Sequence, residues 1–321
     1  MSARVAVSGA NGFIGRAVCA AALQRGCAVT GIVRRAAALD VLPAGTAPLL
    51  IVDDAQDKAL QAQLPVGDCL IHTAGRSHAL HGEHLEAAYR SANLEAPLCL
   101  AQAAAARGYR RFVFVSSSSV LGAQDQITPY TEQAPPVPYG PYATTKLEAE
   151  QELFGIGRAT GMEVVVLRPP MVYGPGSLGN FSRLMGWVRS GWPIPLGMVH
   201  NARSYVYVDN LADAALTCAL HPGAANRMFL VADGQDWSTP QMVRMIARAM
   251  GRPARLWPMP VGLLRSLARA CGKAREIGSL TESRRIDAAL LRRLTGWAPP
   301  VATEEAVART VRWFLDHERQ V

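Results

Sequence analysis

Three glycines decide most of what this chain can fold into. Gly9, Gly12 and Gly15 stand three residues apart, directly after the apolar run Val5-Ala6-Val7-Ser8 and directly before the apolar stretch that opens at Phe13-Ile14. That order reads as strand, tight turn, helix. In such a unit the first glycine permits the turn, the second lets backbone approach a pyrophosphate, and the third lets the helix pack closely. The helix N-terminus then faces the phosphates. The site expected at Gly9, Gly12, Phe13, Ile14 and Gly15 takes a dinucleotide.

The alternation continues through the first half. β-rich runs at Arg4 to Ser8, Ala28 to Val33, Ala47 to Val52, Cys69 to Thr73, Phe112 to Ser116 and Glu163 to Leu167 are separated by helical patterns. The clearest helices are Phe13 to Arg25, Leu85 to Arg107 and Tyr142 to Ala159. Strands alternating with helices predict an α/β fold with a Rossmann-type doubly wound parallel sheet. After Arg168-Pro169-Pro170 the texture changes, with Pro and Gly dense through Gly174-Pro175-Gly176 and Trp192 to Gly197. The division expected is a cofactor domain over 1–168 with a return near 203–220, and a smaller C-terminal substrate-binding lobe from 169–202 and 221–321. A ligand would sit in the cleft between them. Leu94, Leu98, Ala101 and Ala105, with Leu147, Ala149 and Leu153, recur at helical spacing. They fit either packing on the sheet or a helix bundle between two subunits.

At 321 residues, 50% hydrophobic and 18% charged, the chain is globular and long enough for one large domain with an appendage. No stretch approaches the ~20 apolar residues of a membrane span. Met1 to Val7 lacks the long apolar region of a signal peptide. The six cysteines show neither close pairing nor metal-ligand spacing. A cytoplasmic protein without a metal is expected. The net charge of +8 is concentrated at one end, since Gln241 to Val321 holds 15 Lys and Arg against 7 Asp and Glu. That excess fits a solvated arginine-rich surface, an anionic substrate or, for the basic stretch Leu263 to Arg275, a membrane surface. Nucleic acid does not fit, because the arginines are not interleaved with aromatics and match no binding motif.

Two patterns speak to chemistry. The second strand ends about 20 residues past the last glycine, where a carboxylate would hold the ribose 2′-hydroxyl of NAD. Here the residues are Arg34 and Arg35. Guanidinium groups bind a 2′-phosphate bidentately, so NADP(H) is favoured, with NAD(H) the alternative. Farther on, Tyr142 is the only tyrosine followed four residues later by lysine, Lys146, which puts both on one helix face. An unperturbed phenol titrates near 10. A neighbouring ammonium would favour phenolate, making Tyr142 a usable acid or base near neutrality.

Taken with the serine run Ser116 to Ser119, these features resemble the extended short-chain dehydrogenase/reductases of the nucleotide-sugar epimerase, dehydratase and reductase group. The resemblance runs nearly end to end. It includes Asp53-Asp54, Ile71-His72-Thr73-Ala74, Asn93, Phe112 to Gly122, Leu167-Arg168-Pro169, Tyr173-Gly174-Pro175-Gly176, Arg203 to Asp209 and Gly296-Trp297. It implies an enzyme in which Tyr142, Lys146 and a serine are catalytic. The serine is Ser117, five residues before Gly122, with Ser116, Ser118 and Ser119 as alternatives. Asp53 is implied at the adenine, Ala74 under the cofactor and Pro169 beside it. On the substrate side the resemblance implies Asn180 and Arg203 at the nucleotide diphosphate. Arg275, or Arg284 or Arg285 in its place, is implied there as a second phosphate ligand. It also implies a homodimer.

Three departures narrow the reaction. Ser118-Ser119 stand where dehydratases of the group carry an acidic pair, so dehydration is not expected. Met171 stands where 4-epimerases carry an asparagine. Arg34 and Arg35 suit a reductase, which consumes hydride stoichiometrically. The expected reaction is reduction of a UDP-4-keto-6-deoxy-N-acetylhexosamine in surface polysaccharide biosynthesis. A UDP-glucose or UDP-N-acetylglucosamine 4-epimerase is the alternative, and a silent NADP-binding sensor a remote one.

Overall fold

The computed structural model describes residues 2–51, 57–76, 85–122 and 126–317. Among these residues the strands are β1 (Arg4–Ser8), β2 (Ala28–Val33), β3 (Ala47–Leu50), β4 (Cys69–His72), β5 (Arg111–Val115), β6 (Gln126–Tyr130), β7 (Glu163–Arg168), β8 (Met171–Tyr173), β9 (Arg203–Tyr207), β10 (Arg227–Leu230), β11 (Asp236–Trp237) and β12 (Arg284–Ile286). The α-helices are α1 (Phe13–Gln24), α2 (Asp57–Gln63), α3 (Leu85–Arg90), α4 (Ala96–Ala106), α5 (Gly140–Thr160), α6 (Asn180–Ser190), α7 (Val208–Leu220), α8 (Thr239–Ala249), α9 (Val261–Ala270), α10 (Ala274–Thr281), α11 (Ala289–Thr295) and α12 (Thr303–Asp316).

Seven strands form one sheet in the order β10-β7-β5-β4-β1-β2-β3, and every pairing in it is parallel. All C-terminal strand ends therefore share one edge, and the chain order reverses there between β1 and β4. Open parallel sheets bind ligands at such a switch point. β4 and β5 are buried along their whole length, so they read as apolar runs without alternation. One face packs on α1 and α7 around Val7, Val18, Val113 and Leu216. The other packs on α2, α4 and α5 around Leu60, Leu100, Phe112 and Leu153.

Leu94, Ala101, Ala149 and Leu153 belong to that second core cluster, with Leu98 packed against it. The helical spacing read in these segments thus serves the subunit's own core. The stretch read as one helix from Leu85 to Arg107 is interrupted, because α3 and α4 are joined by a π turn over Ser91–Glu95. Pro97 explains the break. It has no N–H to give the Asn93 carbonyl, and its ring crowds that oxygen. The wide turn carries Asn93 fully inside, where its amide accepts from the Arg76 N–H at 2.8 Å and donates to the Arg76 carbonyl at 3.1 Å.

A second sheet follows the order β11-β9-β12-β6, with β8 beside β9. Helices α6, α8, α9 and α12 gather with it around Tyr173, Phe181, Ile246, Leu264 and Val311. The expected boundaries differ from the sheets in three places. Residues 126–130, expected inside the cofactor domain, are β6 of the second sheet, residues 203–207, expected to return to the cofactor domain, are its β9, and 227–230 form β10 at the edge of the large one. Phe229 of β10 is completely buried in the large sheet's core, but four residues are too few to carry a readable pattern.

Candidate active site

The glycine loop is shaped by close approach. Gly9 has φ 75°, and a Cβ there would lie 2.7 Å from the Ala74 nitrogen. A Cβ on Gly15 would be driven into the Gly9 carbonyl, so this glycine sets how near α1 comes to β1. Above the loop lies a cavity of about 920 Å³. Gly9, Gly12, Phe13 and Ile14 form its floor, Arg34 and Arg35 one end, and Ala74, Gly75 and Arg76 one wall. Ser116, Ser117, Tyr142 and Pro169 line it as well. Its size, its bare backbone at the start of α1 and, among the described residues, a lining without carboxylates beside Arg34 and Arg35 fit a nicotinamide dinucleotide. His72 at the end of β4 is a neutral part of this lining, since burial and the Lys146 charge hold its pKa down at about 3.

α5 delivers the reacting side chains. Its N-terminus is set by Gly140, at φ 80°, and by Pro141 in the first turn, where a missing N–H costs nothing. Tyr142 lies at the cavity, with Tyr89 of α3 edge-on to its ring at a centroid distance of 6.3 Å. Burial raises the phenol's pKa, while the hydrogen bond with the Ser117 hydroxyl pulls it down. Here the structure corrects the sequence reading, for the phenol is held above its ordinary value and Lys146 is not among the groups acting on it. The Lys146 ammonium donates instead to the Val115 carbonyl at 3.0 Å and stands 4.4 Å above the centre of the Phe114 ring. Burial lowers its pKa to about 8, against a raising pull from Glu150.

Of the four serines, Ser116 and Ser117 line the cavity. Ser116 gives its hydroxyl hydrogen to Glu150, and the Ser117 oxygen accepts from the Ser119 N–H at 3.1 Å. Ser117 thereby caps the short turn over Ser118–Leu121 and faces Tyr142. Glu150 was not anticipated. It lies one helical turn beyond Lys146, is 3% exposed, and forms a buried ion pair with Arg168. It therefore ties α5 to the ends of β5 and β7, immediately beside Lys146, Ser117 and Pro169. The signal was present in the sequence as a second step of four along the Tyr142–Lys146 face.

The residues expected on the substrate side meet away from this cavity, at α10. Asn180 donates to the Ser279 hydroxyl at 3.1 Å, and Arg203 donates to the Ser279 and Glu282 carbonyls at 2.5 and 3.2 Å. Arg284 stands in register with Arg203, and burial, then the Arg203 charge, lowers its pKa. Arg285 pairs with Asp236 at 2.6 Å. Asp53 and the side chain of Arg275 lie outside the described residues. Among the described residues no group of three His, Cys, Asp or Glu is placed to hold a metal, and no helix is long and apolar enough to cross a membrane.

A doubly wound sheet with a large cleft at its switch point, and a helix that lines the cleft with Tyr142 and buries Lys146 one turn on, defines an oxidoreductase-type scaffold. The chain belongs to the NAD dependent epimerase/dehydratase family, whose model matches residues 5–232. It is an enzyme of the extended short-chain dehydrogenase/reductase group, which includes nucleotide-sugar epimerases and reductases. It is 36% identical over 250 residues to a UDP-glucose 4-epimerase of Vibrio cholerae, covering 77% of this chain and 76% of that one. Similarity to a GDP-6-deoxy-D-mannose reductase of Pseudomonas aeruginosa is 26% over 321 residues, covering 96% and 95%. Among solved structures, a UDP-glucose 4-epimerase of Thermus thermophilus in complex with NAD superposes with a TM-score of 0.78 at 25% identity, covering 97% and 99%.

Proposed function

We propose that this enzyme reduces C4 of a UDP-4-keto-6-deoxy-N-acetylhexosamine destined for a surface polysaccharide. The observation that carries this reading is the pair Arg34 and Arg35 at the ribose end of the cleft, which suits NADPH and a stoichiometric use of hydride. When bound, the nicotinamide supplies that hydride to the sugar carbon. Tyr142 donates the proton that the C4 oxygen takes up, and Ser117 hydrogen-bonds the same oxygen as charge develops on it. Lys146 is the proposed partner of the nicotinamide ribose, and its positive charge supports the developing alkoxide. Asn180 and Arg203, which meet at Ser279, are the proposed diphosphate ligands, with Arg275, or Arg284 or Arg285 in its place, the proposed second phosphate ligand and Asp53 the proposed adenine contact.

A 4-epimerase is the second reading, supported by the Vibrio cholerae relative. It uses the same side chains, with Tyr142 first accepting the proton from the C4 hydroxyl. The two readings separate on one preparation of purified protein. Reduction of the keto sugar with stoichiometric loss of NADPH supports the reductase. Interconversion of UDP-N-acetylglucosamine with its C4 epimer, without added cofactor, overturns it in favour of the epimerase. Replacing Arg34 and Arg35 by alanine should weaken NADPH far more than NADH, since each charge-assisted hydrogen bond is worth roughly 1.5 to 3 kcal/mol. Equal losses would remove these arginines from 2′-phosphate recognition.

The same reading includes a homodimer formed through α4 and α5. Leu94 is a poor probe of it, being core, whereas the half-buried Leu98 is a better one.

A further inference from the structure

The segment 251–275 contains six Lys and Arg and no Asp or Glu. Within it, α9 carries apolar side chains on both sides. Leu264 and Ala268 are 6% exposed, and Leu264 packs in the second core. On the opposite side, Leu263, Ser266, Leu267 and Ala270 form an exposed stripe that Cys271 continues past the helix end. Leu263 and Leu267 are 52% and 50% exposed. A helix lying on a globular surface ordinarily turns polar residues to that side. Arg269 and Lys273 flank the stripe and are exposed.

The chain entering α9 adds aromatic surface. Ile194 and Leu256 form a bridge, and Gly197 donates to the Trp257 carbonyl at 2.9 Å, so 192–198 and 255–257 run side by side. Trp192 and Trp257 are 73% and 62% exposed. Arg252 and Arg255 donate to the carbonyls of Arg189 and Gly191, at 2.5 and 3.0 Å. No carboxylate pairs with Arg252, Arg255, Arg269 or Lys273 among the described residues.

We infer that α9 and the tryptophan-bearing turns before it dock the protein on an anionic phospholipid bilayer. The occupant follows from charge complementarity. An outward apolar stripe, exposed tryptophans in the preceding turns and a basic segment without Asp or Glu match hydrocarbon below and phosphate above. At ten residues α9 is about 15 Å long, so it lies in the headgroup plane and does not span. Docking is separate from hydride transfer, because none of these residues lines the cofactor cavity.

The test is co-sedimentation of the full-length protein with vesicles. Binding should occur with mixed phosphatidylglycerol and phosphatidylcholine, fail with phosphatidylcholine alone and be released by salt. Leu263→Ser with Leu267→Ser, and separately Arg269→Glu with Lys273→Glu, should each weaken binding at least about tenfold. Both variants should keep the wild-type melting temperature and activity, since the changed side chains are on the surface. Wild-type protein left in the supernatant with phosphatidylglycerol vesicles overturns the inference, as do variants that bind like wild type. A change of oligomeric state in the serine variant without vesicle binding assigns the stripe to a second copy of the chain, and overturns it too.

Discussion

Lys146 is held between opposing influences. Burial lowers its pKa to about 8, and the Glu150 carboxylate limits the fall. If its positive charge supports the Tyr142 proton transfer, turnover should decline as pH rises through about 8. In Glu150→Gln the hydrogen bonds to Ser116 and Arg168 can survive while the negative charge is lost, so the decline should begin at lower pH. A pH–rate profile of both enzymes checks this, and an unmoved alkaline limb would separate Glu150 from Lys146. Tyr142→Phe should abolish turnover but leave cofactor affinity nearly intact, whereas Lys146→Ala should weaken both. Single-turnover hydride transfer and cofactor titration distinguish the two effects. That Tyr142 and Lys146 share a face was legible because helical spacing is local. The direction of the phenol's shift was not, since burial depends on α3 and the serine turn closing around it.

At the scale of elements, the glycine loop was legible because its constraints are covalent geometry and close approach. Gly15→Ala should push α1 off β1 and lower both cofactor affinity and thermal stability, as measured by titration and a melting curve. The end of α8 offers a milder case. Ser238 accepts from the Gln241 N–H at 3.2 Å while the Gln241 side chain accepts from the Ser238 N–H at 2.7 Å, a reciprocal cap. Ser238→Ala should cost about 1 kcal/mol in denaturant unfolding with activity unchanged. The π turn and β10 were not legible. The first depends on one proline acting on a carbonyl four residues earlier, and the second on a distant strand, β7, supplying its partner.

For the whole molecule, light scattering at assay concentration tests the proposed dimer. A dimer should be seen for wild type, and Leu98→Glu should split it and reduce activity together. A fully active monomeric wild type would leave Leu98 as an ordinary core-edge side chain. Localisation of charge was legible at this scale, but its use was not, because exposure of Leu263 and Leu267 is a property of the packed second core.

The path of the chain between the two sheets limits how this enzyme can be recombined with its relatives. It visits the second sheet at β6, returns for α5 and β7, leaves again for β8 and β9, and comes back for β10 before its final departure. The substrate side is therefore no cassette. A hybrid that exchanges only the stretch after β10 would set a foreign β11 and β12 against the native β9 and β6. Specificity can be transplanted only by moving three separated pieces at once, while α7 and β10 stay behind with the cofactor.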